Sequence, residues 1–165
     1  FTIISSRSGR NDLESQRDAE MQISVYNEEL YYGHFQGELT SLDRNTGNII
    51  WTSPFSFISD IIINDNSIYG STSDKEIVSI DQASGFLNWR SKISSEQFTQ
   101  PFIIEDLVMA FTTQGTLVAF KKDGTNIYEE KFDLDLHPQT KFILDENKLF
   151  FQTLDGDIVH FIITI

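Results

Sequence analysis

Ser41-Leu42-Asp43-Arg44-Asn45-Thr46-Gly47-Asn48-Ile49-Ile50-Trp51 returns 38 residues later as Ser79-Ile80-Asp81-Gln82-Ala83-Ser84-Gly85-Phe86-Leu87-Asn88-Trp89. Serine, aliphatic, aspartate, hydroxyl, glycine and tryptophan recur in register. A period of about 40 residues with glycine and aromatic marks belongs to repeat proteins built from small sheets. Repetition of this kind also argues against any one of these residues being a catalytic centre.

Working outward, each unit divides into strands. An extended run precedes an acidic or amide turn at Gln22–Tyr26, Ile61–Ile63, Phe102–Ile104 and Phe142–Leu144. Asn and Asp tolerate the turn conformations that close tight hairpins. A second strand follows at Leu30–His34, Ile68–Ser71, Leu107–Phe111 and Leu149–Thr153. Gly37, Gly115 and Gly156 mark the next turn, with Lys75 at that place once. The third strand is apolar and rich in β-branched residues, as in Ile77-Val78-Ser79-Ile80, which suits a sheet covered on both faces. Asp43 and Asp81 open the last turn, Gly47, Gly85 and Gly124 close it, and an aromatic stands four residues on at Trp51, Trp89 and Tyr128. No stretch sustains a 3.6-residue period, so almost no helix is expected.

The expected fold is therefore all-β: β-propeller blades of four antiparallel strands, about four of them. The blades fall at 20–53, 57–93 and 98–132, with a last blade at 140–165 that lacks its outer strand. Residues 1–5 are expected as a lone outer strand and 6–19 as a charged inter-blade loop. One unit cannot bury both its faces alone, whereas stacked units can. Trp51, Trp89 and Tyr128 are accordingly expected between blades, as packing groups rather than a ligand box.

Composition narrows the function. With 165 residues, 39% of them hydrophobic and 14 Phe, the chain can bury a substantial core. No run of 18 apolar residues is available for a membrane-spanning helix. Phe1 stands where a cut inside a longer protein would fall, and the absence of Cys rules out disulfides and thiolate metal sites. Twenty-five acidic against 12 basic residues give −13, which opposes nucleic acid and anionic lipid; solubility is the plain reading of that charge, and electrostatic matching to a basic protein partner the sharper one.

Chemical motifs are scarce. His34, His137 and His160 lie in different units without metal-ligand spacing. His160 replaces the serines of the first two units and is expected as a hydrogen-bonded strand residue near an edge. Asp133-Leu134-Asp135 begins like a calcium loop but lacks the later Gly and Glu, so a solvated loop is expected. Neither a phosphate loop nor a nucleophile elbow occurs.

Leu42-Asp43 … Thr46-Gly47 … Trp51 resembles the Ala-x-Asp-x-x-x-Gly-x-x-x-Trp repeat of the quinoprotein-type (PQQ-like) β-propellers. Arg7-Ser8-Gly9 with its acidic loop, Gly37–Asp43 and Asp155–Val159 are most similar to the C-terminal half of the BamB lipoprotein family. The resemblance runs from Phe1 to Ile165. It implies half of an eight-bladed ring and a non-enzymatic scaffold, without cofactor or metal, on the periplasmic face of the bacterial outer membrane. It implies membership of the barrel-assembly (BAM) complex, with BamA POTRA domains, other BAM subunits and unfolded outer-membrane proteins as partners. The membrane attachment it implies is a lipid anchor outside this chain. Asp18 and Glu20 match an acidic-x-acidic pattern of the family and are its partner-contact candidates here. Lys121 and Tyr128 depart from the repeat, standing for the Asp and the Trp.

The alternative is a quinoprotein-like small-molecule sensor or a fragment of a PQQ-dependent dehydrogenase. Closure is a second open matter. Four blades could form a small ring, yet blades of an eightfold ring turn through about 45° each against about 90° in a fourfold one. An open half-ring capable of self-association is the expected outcome.

Overall fold

The structure, a computed structural model, describes residues 22–33 and 37–164. Fifteen strands and no helix occur among them. The first sheet comprises β1 (Ser24–Tyr26), β2 (Glu29–Gly33), β3 (Leu39–Asp43) and β4 (Ile49–Ser53), paired antiparallel in that order. The second comprises β5 (Ile62–Asn64), β6 (Ser67–Ser71), β7 (Ile77–Asp81) and β8 (Leu87–Ser91). In the third lie β9 (Phe102–Ile104), β10 (Leu107–Phe111), β11 (Thr116–Lys121) and β12 (Asn126–Lys131). The fourth holds β13 (Ile143–Asp145), β14 (Lys148–Gln152) and β15 (Ile158–Ile162). Each sheet is one propeller blade. The second strand of the first blade is Glu29–Gly33, and the expected His34 falls outside the described residues, as do Phe1–Ser5, the loop 6–19, Asp18 and Glu20.

Local chemistry accounts for the turns. The first hairpin of every blade has a two-residue loop, fixed by the registers Tyr26↔Glu29, Asn64↔Ser67, Ile104↔Leu107 and Asp145↔Lys148. Its first residue is always left-handed: Asn27, Asp65, Glu105 and Glu146 have φ between 51° and 54°. Two-residue hairpin loops require a positive φ there, because it matches the twist of the strands. At the next turn Lys75 (φ 65°) occupies the conformation that Gly115 and Gly156 adopt in their blades.

The third turn explains the repeated aspartate. The Asp43 carboxylate accepts the N–H of Asn45 at 3.0 Å and of Thr46 at 2.7 Å, and the Thr46 hydroxyl at 2.9 Å. Asp81 does the same with the N–H and hydroxyl of Ser84, at 2.9 and 2.6 Å. The third blade closes this turn one residue sooner, Gly124 N–H donating to Lys121 at 2.9 Å. Asp123 there accepts the N–H of Thr125 instead. All three outer strands bulge just before the aromatic: Ser41 faces Trp51 while Leu42 faces Ile49, and the same slip recurs at Ser79/Ile80 and Ala119/Phe120. A bulge bends the strand and re-aims the side chain that follows it.

The core lies between the sheets. Tyr31, Leu39 and Trp51 of the first blade pack with Phe57, Ile61, Ile68, Val78 and Ile80 of the second and its lead-in. Tyr69 and Ile77 pack with Phe98, Val108, Ala110, Val118 and Phe120. Phe102, Met109, Phe111 and Leu117 pack with Leu136, Leu149 and Phe151. Phe57 and Phe98 also bridge back to Thr72 and Thr112, tying each lead-in to its own blade. Gly70 has no room for a side chain, since a β-carbon would stand 2.2 Å from the Phe57 ring.

Candidate functional site

Among the described residues, the polar chemistry gathers where one blade meets the next. The Trp51 indole lies over Gly85 of the second blade and donates its Nε1–H to the Gln82 carbonyl at 3.1 Å. Trp89 repeats this one blade on, lying over Gly124 and donating to the Lys122 carbonyl at 2.8 Å. Each pair is a latch in which glycine is needed twice. Its φ is left-handed, and its missing β-carbon makes room for the indole. Tyr128 departs from the expectation of inter-blade packing. It is 43% exposed, and its hydroxyl donates to the Glu130 carboxylate.

Beneath the first latch sits a half-buried polar cluster. Glu29 accepts from the hydroxyls of Tyr31 at 2.8 Å and Ser41 at 2.5 Å, and from the Gln82 amide of the next blade at 3.0 Å. Gln82 also donates to the Tyr31 oxygen at 2.6 Å. Burial, together with the hydrogen bond to Glu29 and its charge, pushes the Tyr31 phenol up to about 12. Equivalent positions carry Ser67, Tyr69, Ser79 and Lys122 in the second interface, so the cluster is built once. Sequence reasoning missed Glu29 and Gln82 because neither belongs to the repeat.

Ion pairs join the blades elsewhere. Lys122 meets Asp65 of the second blade at 2.8 Å and Asp106 of its own at 2.9 Å, and both carboxylates raise its pKa. Lys141, leading into β13, pairs with Asp60, leading into β5. Asp60 also accepts the backbone N–H of Gln22 at 2.8 Å, and the Gln100 N–H donates to the Pro138 carbonyl at 3.1 Å. Lead-ins of all four blades thus meet in three contacts. No sequence signal marks this convergence, which joins residues up to 81 positions apart.

The remaining expected sites lie apart from one another. His137 accepts the Gln139 N–H in a tight turn, and His160 stacks flat on Phe150 at 4.7 Å. The contact at His160 is a ring stack on an exposed edge strand, where a hydrogen bond was expected. Asp133 and Asp135 face solvent on the connector to the fourth blade. Among the described residues no group of three His, Cys, Asp or Glu side chains could hold a metal. Contacts of this kind fix sheets against one another.

Comparison with known proteins agrees. The family model for outer membrane protein assembly factor BamB matches residues 2–91 and again 73–163. The BamB of Marinobacter adhaerens is 28% identical over 127 residues, covering 76% of this chain and 33% of the relative. That of Escherichia coli is 24% identical over 157 residues, covering 94% of this chain and 40% of the relative. The crystal structure of BamB from Moraxella catarrhalis superposes with a TM-score of 0.80 at 21% identity, over 92% of this chain and 45% of that one. The chain spans well under half the length of the relatives it matches. Repeat, latch and family match converge, and the chain belongs to the outer membrane protein assembly factor BamB family.

Proposed function

We propose that this chain is part of a non-enzymatic scaffold that serves outer-membrane protein assembly at the periplasmic face of the outer membrane. One observation carries the reading: the family match covers residues 2–163, every described blade included. The scaffold binds the periplasmic POTRA domains of BamA, alongside other subunits of the complex, and a lipid anchor elsewhere in the protein holds it at the membrane. The chain's −13 charge suits a basic docking surface and fast, salt-sensitive association. Asp18 and Glu20 are the contact residues proposed within this stretch.

The test is a pull-down of BamA periplasmic domains with an intact form of the protein. Binding at low salt that weakens as salt rises supports the reading, and absence of binding at low salt overturns it. Reversing the charge of Asp18 and Glu20 should slow association while leaving the melting temperature in place. A calcium-dependent rise in melting temperature, or quinone absorbance in the purified protein, would move the assignment to the small-molecule reading.

A further inference from the structure

The stack of blades ends in two unlike faces, and each is open among the described residues. Phe150, Ile158 and His160 of the fourth blade stand where the first has Tyr31, Leu39 and Ser41. The first blade buries all three, and the second and third blades bury the residues at the same positions. In the fourth, Ile158 is 82% exposed and His160 faces solvent. At the other end, Val25 of the first blade is 59% exposed, on the side of its sheet turned away from Tyr31. Ile63 and Ile103, its counterparts in the second and third blades, pack against the blade behind them. One end of the stack is therefore a front that no blade covers, and the other a rear that covers no blade.

An ion pair is left half built across the same two ends. Lys122 of the third blade bridges two first-hairpin carboxylates, Asp106 of its own blade and Asp65 of the blade before. Arg44 holds the position of Lys122 in the first blade, and it meets Glu28, which stands where Asp106 does, at 3.8 Å. The counterpart of Asp65 would come from a preceding blade. Glu146 of the fourth blade fits that place. It shares the left-handed first position of the hairpin with Asp65, at φ 54° against 51°. It is also exposed and pairs with no described cation. Lys148 shares the corner, and its cross-strand partner Asp145 offsets it.

We propose that the fourth blade's front docks on the first blade's rear in a second copy of this chain, with Arg44 of each copy paired to Glu146 of the other. Two features argue for a second copy. Front and rear are carried by one chain, so the contact is head-to-tail, and such contacts close into a ring where the rotation allows. The rotation allows it here. The four blades superpose on just under half of the Moraxella catarrhalis BamB chain, and four blades at about 45° turn through about 180°. Two copies then make the same contact twice and leave no blade face open.

The test is sedimentation equilibrium of the full chain at moderate salt. Wild type should rise with concentration to twice its 18.9 kDa and stop there. Arg44→Glu and Glu146→Arg should each weaken the dimer about tenfold, since each sets like charges against one another at both contacts. The two substitutions together in one chain restore opposite charges and should recover most of that loss. A chain that stays monomeric at every concentration, a mass that climbs past the dimer, or a double variant no tighter than the single ones overturns the proposal.

Discussion

Gly85 concentrates the residue-scale argument. Any L side chain there meets two penalties at once, a left-handed φ of 72° and a β-carbon 2.5 Å from the Trp51 ring. The first costs about 1–2 kcal/mol and the overpacking about 1–3 kcal/mol. Gly85→Ala should therefore destabilise the chain by roughly 2–5 kcal/mol, read as a lower midpoint in urea. A variant with an unchanged midpoint would show that the indole has another place to go. Tyr31 makes a pH prediction from the same interface. Its phenol titrates near 10 when unfolded and at about 12 in the fold, so the folded state holds its proton longer. The stabilisation is complete below pH 10 and is lost as pH rises from 10 to 12. Wild type should lose about 2 kcal/mol across that window relative to Tyr31→Phe, whose alkaline limb should be flatter. Parallel limbs would sink the assignment.

Single strands were legible in the sequence, and contacts between sheets were not. Alternating apolar runs and turn residues located the first three strands of each blade to within two residues, and the Asp–Gly–aromatic spacing marked where the outer strand lies, since each of those signals is local. The Glu29–Gln82 cluster and the Asp60–Lys141 pair depend on how one blade lies against another, which no short-range pattern encodes. Tyr128 shows the same limit from the other side. It stands in the aromatic column of the repeat, but a latch also needs a receiving glycine on the next blade. Among the described residues the third interface holds no such latch and is aromatic. Phe111 lies within 6.4 Å of the rings of Phe102, Phe132, Phe142, Phe151 and Phe161 and is fully buried. Phe111→Ala should cost about 3–5 kcal/mol through lost burial and the cavity left behind. Its effect should be uneven: amides of β14 should exchange faster, while those of β2 and β3 change little. Uniform acceleration across all four blades would mean that the stack unfolds as one unit.

At the scale of the whole molecule, burial and charge oppose each other. Every blade from the first to the third covers its forward face with the next blade, while the fourth presents Ile143, Ile158 and Ile162 at 68%, 82% and 62% exposure. Among the described residues no fourth strand pairs with β15, the edge of a three-stranded sheet beside them. Apolar surface and a free edge together favour association with a matching blade. A net charge of −13 on each copy resists it. Salt separates the two terms, because it screens repulsion within a Debye length of about 10 Å at 0.1 M while leaving apolar burial in place. The isolated chain should therefore gain mass in sedimentation equilibrium as its concentration rises, and more steeply at higher salt. Ile158→Lys with Ile162→Lys places two charges on the open edge and should return it to the monomer under the same conditions. A wild-type chain that stays monomeric at high salt and binds no apolar dye would instead mean that the chain covers this face itself, with residues 1–5 as the strand that completes the fourth blade.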